Sequence, residues 1–516
     1  MPIKSWYDDN VKRWVIDRQK LLDASTGSTP RYESIADGVR AAIRSGLLHP
    51  GGRMPTFRDL ADYLGVSVTT VASAYNLLQR QGWIESAVGR GTFVADNRTS
   101  ARTSKRQIAV EAEAGQNKRQ QGWRRRALIA SSSRLRLSFP DALDCSSGRP
   151  NRDFLLVDLV RRALVETANA LTGADLQYSG PEPLDALVEV LIPILESDGI
   201  RADASNLLIG SSAQQLLVLS FQVLRARSSQ MILAVEEPGY PTILDTCDHL
   251  GVRTLGFEVD EEGPVLASLQ RALEAGANVV LLTPRAQNPT GSSWTKERAA
   301  ALVELFGSHH NVVVLEDDQI ADAASSPCWS LTADKRTREQ TIYVRSFSKT
   351  VAPDLRIAAA VAHRPLHQML MEAKNLADGW TSRIAQRALC RLLKYPECKV
   401  RLSEVASTYK QSRDSLTAAL NGELESLGGR VWKSADGVNL WIELPAGVDC
   451  NHIVESAAAL GVLLAPGEPF FLEPGQHRYV RLNAGRVSPA QALEVARCLS
   501  QAIQGSSRAS ASVFHV

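Results

Sequence analysis

The sequence predicts two folded modules of different class: a small helical unit finished by a β-hairpin, and a large α/β unit built on a mostly parallel sheet. Three observations carry this expectation. A chain of 516 residues is too long for one compact domain, since domains run to roughly 100–200 residues. Its net charge of +2 conceals a division, because residues 1–136 hold 23 Lys and Arg against 12 Asp and Glu, while the remainder is acidic. The apolar period also changes, from helical spacing between Tyr32 and Leu78 to short apolar runs alternating with helical patterns beyond Ser138.

Hydrophobic residues make up 44% and charged residues 22% of the chain, an ordinary globular composition that excludes a mostly disordered or fibrous protein. No apolar run approaches the roughly 20 residues of a spanning helix, and Met1 to Asn10 lacks the apolar stretch of a secretory signal. A soluble, cytoplasmic protein with no membrane partner is therefore expected. The seven cysteines are odd in number and never form a C-x-x-C pair, which argues against a disulfide framework and a zinc site. No metal is expected. A basic front on an acidic body points to a polyanionic partner for the front and different work for the body.

Residues 1–28 read as a short polar and aromatic extension with one helix over Trp6 to Leu22. Residues 29–97 form the small module. Tyr32, Ile35, Ala36, Val39 and Ile43 make a helical stripe that ends in a turn at Gly51-Gly52. Phe57, Leu60, Ala61 and Leu64 repeat at i, i+3, i+4, i+7 in a second helix. Gly65 tolerates positive φ, and Ser67 can N-cap a third helix. That helix buries Val71, Ala74, Tyr75 and Leu78 and presents a small polar face of Thr69, Thr70, Ser73 and Asn76. This is a helix-turn-helix layout, whose second helix enters the DNA major groove N-terminus first. Trp83-Ile84-Glu85 and Thr92-Phe93-Val94, joined through Gly89-Arg90-Gly91, make a hairpin wing.

Residues 30–95 resemble a GntR-type winged helix. The resemblance rests on Met54-Pro55-Thr56-Phe57-Arg58 before the second helix, Leu64-Gly65-Val66-Ser67-x-Thr69-Thr70-Val71 at the turn, and Gly89-Arg90-Gly91-Thr92-Phe93-Val94 in the wing. It implies that Arg58, Ser67, Thr69, Thr70 and Arg90 contact double-stranded DNA, on an operator of paired half-sites. Val68 departs from the pattern, since many members have Arg there, and a guanidinium that would read guanine is missing. The alternative is a winged helix that binds protein; the whole ordered string favours DNA.

Residues 98–137 read as a basic linker, rich in Ser, Gln and Ala and containing Arg124-Arg125-Arg126. It is either a solvated spacer or a contact to the phosphate backbone, and both readings stay open. From residue 138 to 516, strands are expected at Asn206–Ile209, Met231–Val235, Val279–Thr283, Val312–Glu316, Thr341–Val344 and Ala358–Val361. Short buried strands between helices read as a mostly parallel α/β sheet.

Ser346-Phe347-Ser348-Lys349 follows one of these strands, with Arg356 close behind. A lysine flanked by hydroxyls and a guanidinium suits an aldehyde cofactor that carries a phosphate, the amine forming a Schiff base. Partners come in order: Ser211-Ser212-Ala213-Gln214 between a strand and a helix, where N–H groups can hold phosphate, Glu237-Pro238-Gly239-Tyr240-Pro241, Asn288-Pro289-Thr290-Gly291, and Glu316-Asp317-Asp318 at a strand end. Residues 140–505 resemble the fold-type I aminotransferases that use pyridoxal phosphate, which implies a smaller C-terminal α/β subdomain as well. On that resemblance Lys349 forms the internal aldimine and Asp317 pairs with the pyridine nitrogen. Tyr240 stacks on the ring, and Asn288 bonds the 3′ oxygen. Ser212, Ala213, Gln214, Ser346, Ser348 and Arg356 hold the phosphate. Tyr178 reaches a neighbouring subunit's phosphate, which implies a homodimer, and Arg481 forks onto a substrate carboxylate.

One departure stands out. The family usually places a tyrosine two or three residues after the aspartate; here Gln319 and Ile320 occupy those positions. Gln can donate a hydrogen bond but is no phenol, so efficient transamination is doubtful while cofactor binding is not. A GntR-type reader joined to an aminotransferase-like body resembles the MocR subfamily of bacterial regulators. The strings Thr283-Pro284-Arg285-Ala286-Gln287-Asn288-Pro289-Thr290-Gly291 and Pro353-Asp354-Leu355-Arg356 look closest to its PtsJ-like branch. The expected function is a pyridoxal-phosphate-dependent transcription regulator that senses a B6 vitamer or amino compound at Lys349. The alternative is a working aminotransferase that carries a DNA-binding module.

Overall fold

The computed structural model describes residues 7–8, 13–14, 31–44, 48, 51–80, 83–87, 91–94, 122–228 and 230–513. It divides into two compact units, Met1–Arg119 and Gln120–Val516.

In the first unit, β1 (Tyr7–Asp8) pairs antiparallel with β2 (Arg13–Trp14), Tyr7 lying opposite Trp14. The helix expected over Trp6 to Leu22 is thus overturned at these positions, where the backbone pairs as two short strands. Three helices follow, α1 (Arg31–Arg44), α2 (Phe57–Leu64) and α3 (Val68–Arg80), then the hairpin β3 (Ile84–Ala87) and β4 (Gly91–Val94). The expected stripes meet in one core. Ile35, Ala36 and Val39 come from α1, Leu60, Ala61 and Leu64 from α2, Val71, Ala74, Tyr75 and Leu78 from α3, and Ile84 and Val94 close it from the hairpin. Gly65 takes φ 68°, the left-handed turn that ends α2, and its N–H bonds Ala61 O. Gly51 N to Val94 O and Met54 N to Thr92 O, each 2.8 Å, lay residues 51–54 along the wing.

The second unit opens with α4 (Trp123–Ser138), inside the stretch expected as linker to residue 137. The reason is tertiary. Arg124 and Leu135, three turns apart on one helix face, are both buried, Arg124 at 0% exposure. Arg124 donates to Phe471 O (2.9 Å), Leu472 O (2.7 Å) and Asp248 Oδ2 (2.7 Å), and ion-pairs with Asp245 at 3.4 Å. A helix whose buried face rests on an arginine shows little apolar period, so it reads as linker.

After β5 (Leu143–Asp144), α5 (Val157–Ala170) and α6 (Asp185–Ser197) comes the main sheet. Its strands and connecting helices are β6 (Leu207–Gly210), α7 (Ala213–Arg227), β7 (Ile232–Glu237), α8 (Pro241–Leu250), β8 (Arg253–Asp260), β9 (Gly263–Pro264), α9 (Leu266–Glu274), β10 (Val279–Leu282), α10 (Lys296–Gly307), β11 (Val313–Asp318), β12 (Thr341–Ser346) and β13 (Ala358–Ala362). The eight strands lie in the order β6-β13-β12-β11-β10-β7-β8-β9. From β8 through β12 the pairing is parallel, and β13 runs antiparallel to both β12 and β6. Both faces are covered. Leu233, Val235, Leu281, Leu315 and Val344 enter one core, and Ala234, Val280, Leu282 and Val314 enter the other. Burial on both faces is why these strands read as continuous apolar runs.

Helices α11 (Leu366–Ala377), α12 (Arg383–Lys394) and the long α13 (Pro396–Leu424) lead into a smaller α/β subdomain. It comprises β14 (Arg430–Val431), β15 (Asn439–Glu443), α14 (Cys450–Ala459), β16 (Val462–Leu463), β17 (Ala465–Pro466), β18 (Tyr479–Asn483) and α15 (Ala492–Val513). Its four-stranded sheet, β14-β15-β18-β17, is antiparallel.

Candidate functional site

Strands β6, β7, β10, β11 and β12 point the same way and bring their C-terminal turns to one edge of the sheet, where open α/β sheets bind ligands. Lys349 lies just past β12. Its Nζ donates to Gln319 Oε1 at 2.7 Å, and Gln319 Nε2 donates to Ala286 O at 2.9 Å. A backbone carbonyl only accepts, so the amide can sit one way round, with its oxygen toward the lysine. Gln319 therefore presents an acceptor to Lys349, and the donor that the sequence allows it is taken by Ala286 O. Burial and the Arg481 guanidinium lower the Lys349 ammonium to about 8, against the attraction of Asp317.

Asp317 is the middle of three successive acids, and the two-residue period of β11 separates it from its neighbours. Glu316 turns to the opposite face and accepts from Ser330 Oγ and, at 2.8 Å, from Leu331 N. Asp318 joins it there, forked by Arg285 Nε at 3.0 Å and Nη2 at 2.7 Å and bonded by Tyr343 Oη at 2.5 Å. Asp317 is left beside Lys349, and its buried Oδ1 has no hydrogen-bond partner among the described residues. Burial raises this carboxyl to about 7; Lys349 lowers it and Asp318 raises it further.

Arg481, at the middle of β18, is buried, and burial lowers it to about 10. Its Nη1 donates to Asn288 Oδ1 at 3.1 Å and its Nη2 to Ser146 O at 2.8 Å, while the guanidinium lies 5.0 Å over the Phe470 ring. Its Nε has no partner among the described residues. Asn288 Oδ1 also accepts from Asn439 Nδ2 at 3.3 Å, so this amide keeps its Nδ2 as the donor. Gly291 holds the turn behind Asn288 at φ 73°, where an added Cβ would fall 2.0 Å from Ser434 Oγ.

Ser212 N-caps α7, its Oγ accepting from Gln215 N at 3.1 Å. Ala213 and Gln214 thus occupy the first turn, whose N–H groups favour an anion. Ser346 Oγ accepts from Ser348 N at 3.2 Å. Arg356 is exposed at φ 54°. Tyr240, which precedes α8, is 37% exposed. Tyr178 is 92% exposed and meets only Trp380 edge-on, at 5.7 Å, among the ring contacts of the described residues. It does not join the other residues within this chain.

An unpartnered buried carboxylate oxygen, a lysine of lowered basicity and a capped helix N-terminus fit the pyridine nitrogen, aldehyde and phosphate of pyridoxal phosphate. Sequence reasoning missed the Gln319 contact to Lys349 and the Ser146 carbonyl under Arg481. It also missed the support in which Arg285 and Arg345 meet Asp318, Asp198 and Asp322. The strand period across Glu316-Asp317-Asp318 was the available signal for that last feature, since it turns Asp318 to the face away from Asp317, where a buried carboxylate needs a cation.

In the first unit, Arg58, Ser67 and Thr69 are exposed and Thr70 is half-buried. Ser67 Oγ accepts from Thr70 N at 3.2 Å, capping α3, and lies 2.8 Å from Thr69 Oγ1 and 2.7 Å from Thr70 Oγ1. Val68 is 44% exposed beside them. Arg90 lies outside the described residues.

Comparison with known proteins places both halves. Residues 140–499 match the aminotransferase class I and II family, and residues 31–94 match the gntR family of bacterial regulatory proteins. The vitamin B6 salvage pathway transcriptional repressor PtsJ of Salmonella typhimurium is 27% identical over 94% of this chain and 100% of its own length. The HTH-type transcriptional regulator TauR of Rhodobacter capsulatus is 29% identical over 88% of this chain and 92% of its own. Among solved structures, the Pyrococcus horikoshii kynurenine aminotransferase matches with a TM-score of 0.65 and 26% identity, over 73% of this chain and 94% of its own. With a gntR-family helix-turn-helix ahead of a fold-type I body, the chain belongs to the aminotransferase class I and II family in its MocR arrangement.

Proposed function

We propose that this protein is a DNA-binding transcription regulator whose body holds pyridoxal phosphate on Lys349 and responds to a B6 vitamer or an amino compound. One observation carries the reading: the unpartnered Asp317 Oδ1 beside Lys349, in a chain that also bears an exposed, capped recognition helix. When bound, the cofactor would supply an aldehyde for amines and an electron-accepting ring.

The chain's residues supply the rest. Lys349 provides the amine. Asp317 presents a carboxylate to the ring nitrogen, and Asn288 offers an amide donor to the 3′ oxygen. Ser212, Ala213, Gln214, Ser346, Ser348 and Arg356 receive the phosphate. Arg481 and its free Nε hold a ligand carboxylate. Tyr178, exposed in one protomer, reaches the phosphate of a partner in a homodimer. Arg58, Ser67, Thr69, Thr70 and Arg90 meet double-stranded DNA across paired half-sites, and Val68 offers a methyl contact to thymine where a guanidinium would read guanine. Among the described residues no helix is long and apolar enough to cross a membrane, in keeping with a cytoplasmic regulator.

The test is operator selection by DNA pull-down sequencing, followed by affinity measurements with and without pyridoxal phosphate and amino donors. The wild type should respond and Lys349→Ala should not. The second reading, a working aminotransferase, is favoured by the joint presence of Lys349, Asp317 and Arg481. Keto-acid-dependent turnover above about 1 s⁻¹, with DNA affinity indifferent to cofactor and donor, would replace the regulator with the enzyme.

A further inference from the structure

We propose that Gln319 is a positioning residue that receives the Lys349 amine whenever that amine is free, so that the site is weighted toward ligand exchange. The inference rests on the reading that Lys349 carries the cofactor. It starts from the orientation of one side chain. Gln319 Nε2 is committed to Ala286 O at 2.9 Å, which leaves Oε1 facing Nζ at 2.7 Å. Ala286 is itself held in place: its N–H bonds Ser293 Oγ at 3.0 Å, its φ is 53°, and a Cβ added at Gly437 would lie 2.7 Å from its own Cβ. The amide therefore cannot rotate to offer its donor without losing Ala286.

A fixed carbonyl oxygen discriminates between the states of a lysine. It accepts from an ammonium more strongly than from a neutral amine, because a charged donor makes the stronger bond. It cannot donate to the cofactor's 3′ oxygen, as a tyrosine hydroxyl would. When an amino ligand takes the place of Nζ on the aldehyde carbon, one C–N linkage breaks and one forms. Two protons leave the ligand's ammonium and end on Nζ, and no oxidant or reductant is involved. The product lysine is an ammonium, the form Gln319 holds best. The same hold keeps Nζ from acting as the free base that later proton transfers need. Exchange is favoured and onward chemistry is disfavoured, which suits a sensor.

The test begins with full-length protein stripped of cofactor. Lys349 is acylated across a range of pH, and the modified peptide is quantified by mass spectrometry. Gln319→Met, which keeps the length and removes the acceptor, should move the labelling midpoint down by about one pH unit, the tenfold that a charge-assisted bond of about 1.4 kcal/mol confers. Gln319→Glu, which adds a charge beside Nζ, should move it up, and far-UV circular dichroism should show both variants folded. With pyridoxal phosphate loaded, Gln319→Met should need roughly tenfold more amino donor to displace Lys349, read from the cofactor's absorbance, with cofactor retention unchanged. Coincident midpoints in wild type and Gln319→Met overturn the proposal, as does unchanged donor dependence. If wild-type protein yields no borohydride-fixed adduct on Lys349, the cofactor reading fails instead, and the labelling midpoints still decide whether Gln319 holds the amine.

Discussion

At the residue scale, two amides at the site are locked in opposite senses: Asn288 by Arg481 and Asn439 on its oxygen, Gln319 by Ala286 O on its nitrogen. One is left as a donor and the other as an acceptor. Asp317 carries the clearest pH signature. Its folded carboxyl sits at about 7, well above the ordinary value of about 3.9. Between those two limits the unfolded chain ionises while the folded one stays protonated, so cofactor-free stability falls as pH rises through that window. Asp317→Asn should therefore raise the stability of the cofactor-free protein by about 1–3 kcal/mol at pH 8 and leave it nearly unchanged at pH 4, in thermal or urea unfolding. The same variant should lose cofactor on dialysis. Lys349→Ala should abolish both the cofactor's absorbance band and the adduct fixed by borohydride. A mutant that keeps the wild-type band would show that another amine carries it.

At the element scale, α4 and α3 make separable predictions. Helix α4 is pinned by a fully buried guanidinium against Asp248 and two carbonyls. Removing one partner of a buried ion pair leaves the others uncompensated, so Arg124→Ala should cost about 3–5 kcal/mol, measured on a fragment from residue 120 onward as well as on the whole chain. A cost below about 1 kcal/mol, the level of an exposed pair, would mean that α4 detaches freely. In α3 the cap and the reading face are the same residues. Ser67→Ala should destabilise the small unit by about 0.5–2 kcal/mol. Thr69→Ala should leave it folded and relax base or register preference in selection sequencing. If Thr69→Ala weakens all sequences equally and selects the wild-type site, Thr69 contacts phosphate and not bases.

For the whole molecule, two jobs reside in two units that fold around separate cores. A truncated chain lacking residues 1–97 should keep its cofactor and lose DNA binding; full DNA affinity after that truncation would remove the small unit as the reader. For a ligand to change operator affinity tenfold, it must distinguish the two states of the regulator by about 1.4 kcal/mol. That is within reach of one carboxylate held by Arg481. Gln319→Tyr should retain cofactor and raise half-transamination with an amino donor, measured as loss of the Lys349-bound absorbance.

Local periodicity and ordered motifs were legible in the residues alone. The six strands expected in the body occur where apolar runs predict them, the three stripes of the small unit meet in one core, and Gly65 and Ser67 turn and cap as their residue types allow. These features depend on neighbours a few residues away, which a sequence displays. Other features waited on the folded chain. Trp123–Ser138 is a helix because Arg124 finds carboxylates and carbonyls more than a hundred residues away in sequence. The segment at Tyr7 and Trp14 is paired because two short strands meet, not because of a helical period. That Asp318 is held by Arg285 and Tyr343 while Asp317 keeps an unpartnered oxygen also shows only in the fold. Gln319 is an acceptor because Ala286 O occupies its nitrogen. In each case the deciding partner lies outside the local sequence pattern, and a hydrogen-bonding group declares its role only when its partner is in place.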